Sequence, residues 1–227
     1  MRPDLLRQAR LAAGLTQQQA ARRLEISQAY LALIECGRRP VTARLALRLV
    51  ELYGLGPSAL PIDASRAAAW DSASLAAALG SLGYPGFRYL RGAAKDNPAL
   101  VLLGAIAASE VEVRVVEALP WLVASYSDLD WPWVIRESKL RDVQNRLGFI
   151  VALGWRLAAR RGDQEAESRL RLVEEALDRA RLVREDTLCQ ASMTEAERRW
   201  LRRTRPAVAE HWNLLTDLDL AGLSHLA

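Results

Sequence analysis

The chain has 227 residues, 51% of them hydrophobic and 26% charged, with a formal net charge of +4; this is the balance of a globular protein of one or two domains and excludes a disordered or fibrous chain. Apolar runs such as 98–108 reach only about ten residues, half of what a membrane-spanning helix needs, and Met1-Arg2-Pro3-Asp4 leads into an amphipathic segment without an apolar leader, so a cytoplasmic protein with no membrane span is expected. Cys36 and Cys189 lie far apart with no His or Cys at ligand spacing, which supports neither a disulfide framework nor a metal site, and no cofactor is expected.

Leu5, Leu6, Ala9 and Ala12 recur at helical spacing and predict a first helix over 3–13 that Gly14 stops, with Arg7 and Arg10 on its polar side. Thr16 with Gln19 three positions later reads as a capping box opening a second helix over 17–24. Ser27 caps a third, 28–35, ended by Gly37. Only Glu25-Ile26-Ser27 separates the second and third helices, so they must cross steeply. Such a crossing needs small and apolar residues, which Ala20, Ala21, Leu24, Ile26, Leu31 and Ile34 supply.

Three stretches, Leu15-Thr16-Gln17-Gln18-Gln19-Ala20-Ala21, Ile26-Ser27-Gln28-Ala29-Tyr30-Leu31 and Ile34-Glu35-Cys36-Gly37-Arg38-Arg39-Pro40, together with a fourth helix from Thr42 to Tyr53, resemble the Cro/cI (XRE) family of helix-turn-helix DNA-binding domains. Glu25 departs from the family pattern, which often has Gly in a left-handed turn there; a side chain in that conformation costs about 1 kcal/mol. The charge agrees with a polyanion ligand: residues 1–57 hold nine arginines against four acidic groups, whereas 58–227 hold 22 basic and 23 acidic groups.

The resemblance implies that the third helix lies in the major groove with Gln28, Ala29, Ala32 and Leu33 facing base edges. Gln28 can bond adenine through two atoms, and Ala29 and Ala32 can meet a thymine methyl. Gln17, Gln18, Tyr30, Arg38, Arg39 and Arg44 would contact phosphates, Gln17 through the N-terminus of the second helix. The residues alone leave Gln28 open as an ordinary exposed side chain and Tyr30 as a packing residue. The resemblance further implies double-stranded operator DNA as the partner, read as an inverted repeat by a homodimeric repressor of its own operon.

Gly54-Leu55-Gly56-Pro57-Ser58 and Pro61 break the pattern, so the expected organisation is a DNA-binding domain over 1–56, a linker over 57–63 and a larger domain over 64–227. That second domain reads as helical almost throughout, with candidate helices over 65–79, 98–108, 110–124, 133–161, 164–189 and 195–215 and a capping box at Thr194 and Glu197. The expected fold class is therefore all-α, a four- to five-helix lambda-repressor-like domain followed by a helical dimerisation, partner- or effector-binding domain. Self-cleaving repressors carry a strand-rich domain with a Ser and Lys pair; here Ser138-Lys139 falls within a helical pattern, and no catalytic motif appears, so no enzyme is expected.

Three features of the second domain stay open on sequence alone. Trp121, Tyr126, Trp131, Trp133 and Trp155 form either core, a partner interface or an effector pocket. Leu170, Val173, Leu177 and Ala180 make either a subunit contact or internal packing. Arg198, Arg199, Arg202, Arg203 and Arg205 make either a solvated face or a contact with nucleic acid or an acidic partner. The stretch from Leu119-Pro120-Trp121 to Asn145-Arg146-Leu147-Gly148 resembles regulators encoded beside nucleotidyltransferase-like toxins, and the alternative function it implies is an antitoxin or phage-defence operon regulator binding such a protein partner through residues 64–227.

Overall fold

A computed structural model describes residues 1, 3–63, 70–90 and 95–223, which fall into two compact units, Met1–Asp63 and Ala64–Ala227. The regular structure of the described residues is helical apart from one pair of two-residue strands and an isolated bridge, and none of their helices is long and apolar enough to cross a membrane.

The first unit holds α1 (Pro3–Ala12), α2 (Gln17–Leu24), α3 (Gln28–Glu35) and α4 (Ala43–Tyr53), followed by a single 3-10 turn, Pro57–Ala59. Its helices begin at the residues able to cap them. Thr16 and Gln19 exchange backbone bonds as a capping box, and the side chains of Ser27 and Thr42 accept from the amides of Tyr30 and Leu45. Gly14, Gly37 and Gly54 take the left-handed conformations that end α1, α3 and α4. The core is Leu6, Ala9, Leu15, Ala20, Ala21, Leu24, Leu31, Ile34, Leu45, Leu49 and Tyr53, with Ile26 and Tyr30 half-buried against it.

In the second unit, Asn97 caps α6 (Pro98–Ala107), whose residues 98–106 are all buried; a helix that is apolar on every side belongs at the centre of a core. It packs on α5 (Ser72–Ser81), α7 (Val113–Ser125) and α8 (Trp131–Leu140). The longest helix, α9 (Gln144–Arg160), packs along α7 and α10 (Gln164–Asp178). Past α10, β1 (Asp186–Thr187) pairs in parallel with β2 (Leu214–Leu215), with α11 (Glu195–Thr204) and α12 (Ala207–His211) between them.

Glycines let neighbours sit directly on α9. A Cβ on Gly148 would lie 2.3 Å from the ring of fully buried Trp212, and one on Gly154 2.3 Å from Val123 Cγ2. Gly148→Ala is therefore expected to destabilise the second unit by about 1–3 kcal/mol through overpacking, even though Ala favours helix by about 1 kcal/mol. The check is a lower urea midpoint at unchanged slope; an unchanged midpoint would mean that Trp212 has room to shift.

Several expected helix bounds differ. The single helix over 133–161 is two, because Asp142 takes a left-handed φ of 56° and turns the chain between α8 and α9. The helix expected over 164–189 ends at Asp178, and the one over 195–215 ends at Thr204, where Pro206 holds Arg205 extended at ψ 145°. The helix over 110–124 begins three residues late because Glu110 pairs with Gln190 as a β-bridge. Of the helix expected over 65–79, residues 65–69 lie outside the described residues, and the described part starts at Ser72 behind its Asp71 cap.

Most residues of two of the open features pack inside the second unit, while Trp133 and Ala180 stay half-exposed. Trp121 and Trp131 are buried, with Trp121 edge-on to Tyr84 and Tyr126. Trp155 is half-buried and held by a bond to Glu174 between the guanidiniums of Arg156 and Arg171, 4.2 and 4.1 Å from its ring. Leu170, Val173 and Leu177 are buried where α10 lies on α9. In the arginine-rich patch, Arg202 pairs with Glu185 and Glu195, and Arg205 with Glu185.

Candidate nucleic-acid interface

The chain reverses between α2 and α3 at Glu25, which takes φ 55° and ψ 42°. Its own amide and that of Ile26 cap the end of α2, Ile26 bonding Ala21 O at 3.0 Å. Arg48 of α4 reaches this turn, 3.1 Å from the Glu25 carboxylate and 3.3 Å from Arg23 O. The left-handed geometry is thus kept without glycine, and Glu25 contributes a tether to α4 that a glycine would lack.

Crossing α2 in this way leaves one side of α3 outside the core. Leu31, Ile34 and Glu35 are buried, Gln28 and Ala29 are exposed, and Ala32 and Leu33 one turn on are half-exposed. Positions 28, 29, 32 and 33 therefore form one continuous helix face. Gln28 lies at the N-terminal end of α3 and lines the same open surface groove as Thr16, Gln17 and Gln18, so the start of α3 and the start of α2 face one space. Both helix starts present backbone amides with no partner inside the helix, together with the positive end of the helix dipole.

Of the other sequence-predicted residues, Gln18, Arg38, Arg39 and Arg44 are exposed. Among the described residues, none of these three arginines makes an ion pair, and neither do Arg22 and Arg23. The chain after α3 is folded back by bonds from the amides of Arg38 and Arg39 to Leu33 O, which fixes where those two guanidiniums emerge. Gln17 is half-buried and its side-chain amide is spent on Glu35 at 2.9 Å, leaving its backbone amide for an anion. Tyr30 packs partly on the core, so packing takes up at least part of its ring.

Sequence reasoning placed Arg10 on the polar side of α1; the structure corrects this. Arg10 and Glu35 are buried together at 6% and 7% exposure. Arg10 Nε and Nη2 donate to the two Glu35 oxygens at 2.6 and 3.0 Å, and Nη1 donates to Leu15 O at 2.9 Å. With the Gln17 bond, this cluster ties α1, the turn before α2 and the last turn of α3. Burial raises the Glu35 pKa, but bonds from Arg10 and Gln17 outweigh it and hold the carboxyl below its ordinary value. Burial, with the Glu35 charge adding to it, pushes the nearby Tyr53 phenol up to about 12. Buried in this way, the pair holds α3 against α1 from inside the unit.

Residues 4–61 match a family model described as a helix-turn-helix domain, and the N-terminal unit is such a domain, of the Cro/cI-like type. The match covers about a quarter of the chain and lies within the first unit. Comparison with curated proteins and with solved structures found no match.

Proposed function

We propose that this protein is a sequence-specific transcriptional regulator that binds operator DNA as a homodimer, α3 of each protomer lying in the major groove, and represses its own operon. The observation that carries this reading is the exposed face Gln28, Ala29, Ala32 and Leu33 beside the groove shared with Gln17 and Gln18. In that arrangement Gln28 reads an adenine edge and the two alanines meet thymine methyls. The amides of Gln17 and Gln18 and the unpaired Arg38, Arg39 and Arg44 hold phosphates and set the register. A single unit reads only a few base pairs, so operator specificity calls for two half-sites and hence two chains. The role involves no catalytic step and belongs where the operator DNA is, in the cytosol.

The proposal is tested by selecting bound duplexes from a random library with the full chain. The expected outcome is an enriched inverted repeat with half-site centres about 10 base pairs apart or a multiple of that. Enrichment of a lone half-site would overturn the dimer, and no enrichment at all would overturn sequence-specific reading.

A further inference from the structure

The second unit contains a cleft of about 680 Å3 that the DNA-binding role does not use, within the size range of small-molecule sites. Its walls are the start of α7, the chain between β1 and α11, α11 itself and the segment after β2. Its apolar surface includes Val113, Met193 and Trp200, and Trp200 is 55% exposed, an uncommon exposure for so large an apolar ring. Four carboxylates line the cleft, Glu117, Glu197, Asp217 and Asp219, and among the described residues no basic side chain does, although the protein carries 31 basic residues.

The four carboxylates are not equivalent. Glu197 is spent on the amide and hydroxyl of Thr194, which cap α11, and Asp219 accepts from the Gly222 amide. Glu117 and Asp217 have no hydrogen bond or ion pair among the described residues. Three of the four guanidiniums of α11 are bonded elsewhere, Arg198 to the carbonyls of Ala191 and Met193, Arg199 to Glu195 O, and Arg202 to Glu185 and Glu195, and the fourth, Arg203, does not line the cleft.

We propose that this cleft binds an organic cation with an apolar body, its charge facing Glu117 and Asp217 and its apolar part lying against Trp200 and Met193. A cation fits because the described lining residues carry four carboxylates, two of them outside any ion pair, and the aromatic face attracts the same charge through its quadrupole. An apolar body fits because the remaining wall is hydrophobic. The site lies wholly within the second unit and its binding requires no DNA, so it stands or falls separately from the operator-reading proposal.

The test is isothermal titration of the full-length protein with tetraphenylphosphonium and with tetraphenylborate, which share a shape and carry opposite charge. The expected result is saturable binding of the phosphonium alone, with quenching of tryptophan fluorescence. Glu117→Gln and Asp217→Asn are each expected to weaken it by about five- to tenfold, and Trp200→Ala by a similar factor. These three side chains are not fully buried, so the variants should fold, and Glu175→Gln on α10 should leave binding unchanged. Equal binding of the two ions, no phosphonium binding at millimolar concentration, or affinity indifferent to the paired Glu117→Gln and Asp217→Asn variant would overturn the proposal.

Discussion

Glu35→Ala is expected to unfold much of the N-terminal unit. It leaves the Arg10 guanidinium buried without its partner, which costs about 3–5 kcal/mol, whereas a unit of this size holds on the order of 3–9 kcal/mol in total. Hydrogen exchange should show amides across α1–α4 losing protection while α6 and α9 keep theirs. The double variant Arg10→Met with Glu35→Leu should recover most of the loss, since well-packed apolar residues can replace a buried ion pair at little cost. Retained protection in Glu35→Ala would mean that water reaches Arg10. The pair also sets an acid limit. Because the folded carboxyl titrates below its ordinary 4.5, the unfolded chain binds the proton first. The pair's contribution is therefore complete above pH 4.5 and is lost as pH falls through the folded value.

The second large effect is expected at Arg146. This residue of α9 is 8% exposed and uses its whole fork. Nε and Nη2 donate to the Asp186 oxygens at 2.8 and 3.0 Å, and Nη1 donates to Ile106 O and Ala108 O at 3.0 and 2.9 Å. One side chain thus joins the end of α6, the start of α9 and β1. Its neighbours Gln144 and Asn145 bond Ala180 O and both backbone groups of Leu182, so the first turn of α9 organises the irregular chain after α10. Arg146→Ala should cost about 3–5 kcal/mol, from two orphaned carbonyls and a partly buried carboxylate left without its cation. Arg146→Lys should recover little, because an ammonium cannot reproduce the planar fork. Thermal unfolding of the second unit, with the N-terminal amides as internal control, reads both; a shift below about 1 kcal/mol would show the fork to be dispensable.

These two arginines mark where sequence reading stops. The caps at Thr16, Ser27, Thr42, Asn97 and Thr194 bond amides two or three residues ahead, so their signals are local and the helix starts of the first unit were legible from the chain. The exposed face of α3 was legible for the same reason, since period and caps decide which side of an eight-residue helix is apolar. Arg10 and Glu35 are 25 residues apart and Arg146 and Asp186 40; nothing in spacing distinguishes a charge that will be buried and paired from one that meets water. The α8–α9 break was hidden because Asp142 adopts a left-handed φ with no glycine to announce it. The end of α11 was announced by Pro206, and the periodic pattern beyond it belongs instead to α12 and β2.

Fluorescence anisotropy of the intact protein on its selected duplex, with Gln28→Ala alongside, most directly tests the claim that the α3 face reads DNA. The account predicts tight binding whose logarithm falls linearly with the logarithm of salt concentration. Gln28→Ala should lose about 1–3 kcal/mol and relax preference at one base pair per half-site, while keeping the same salt slope. Equal affinity of both proteins for the selected and an unrelated duplex would contradict it.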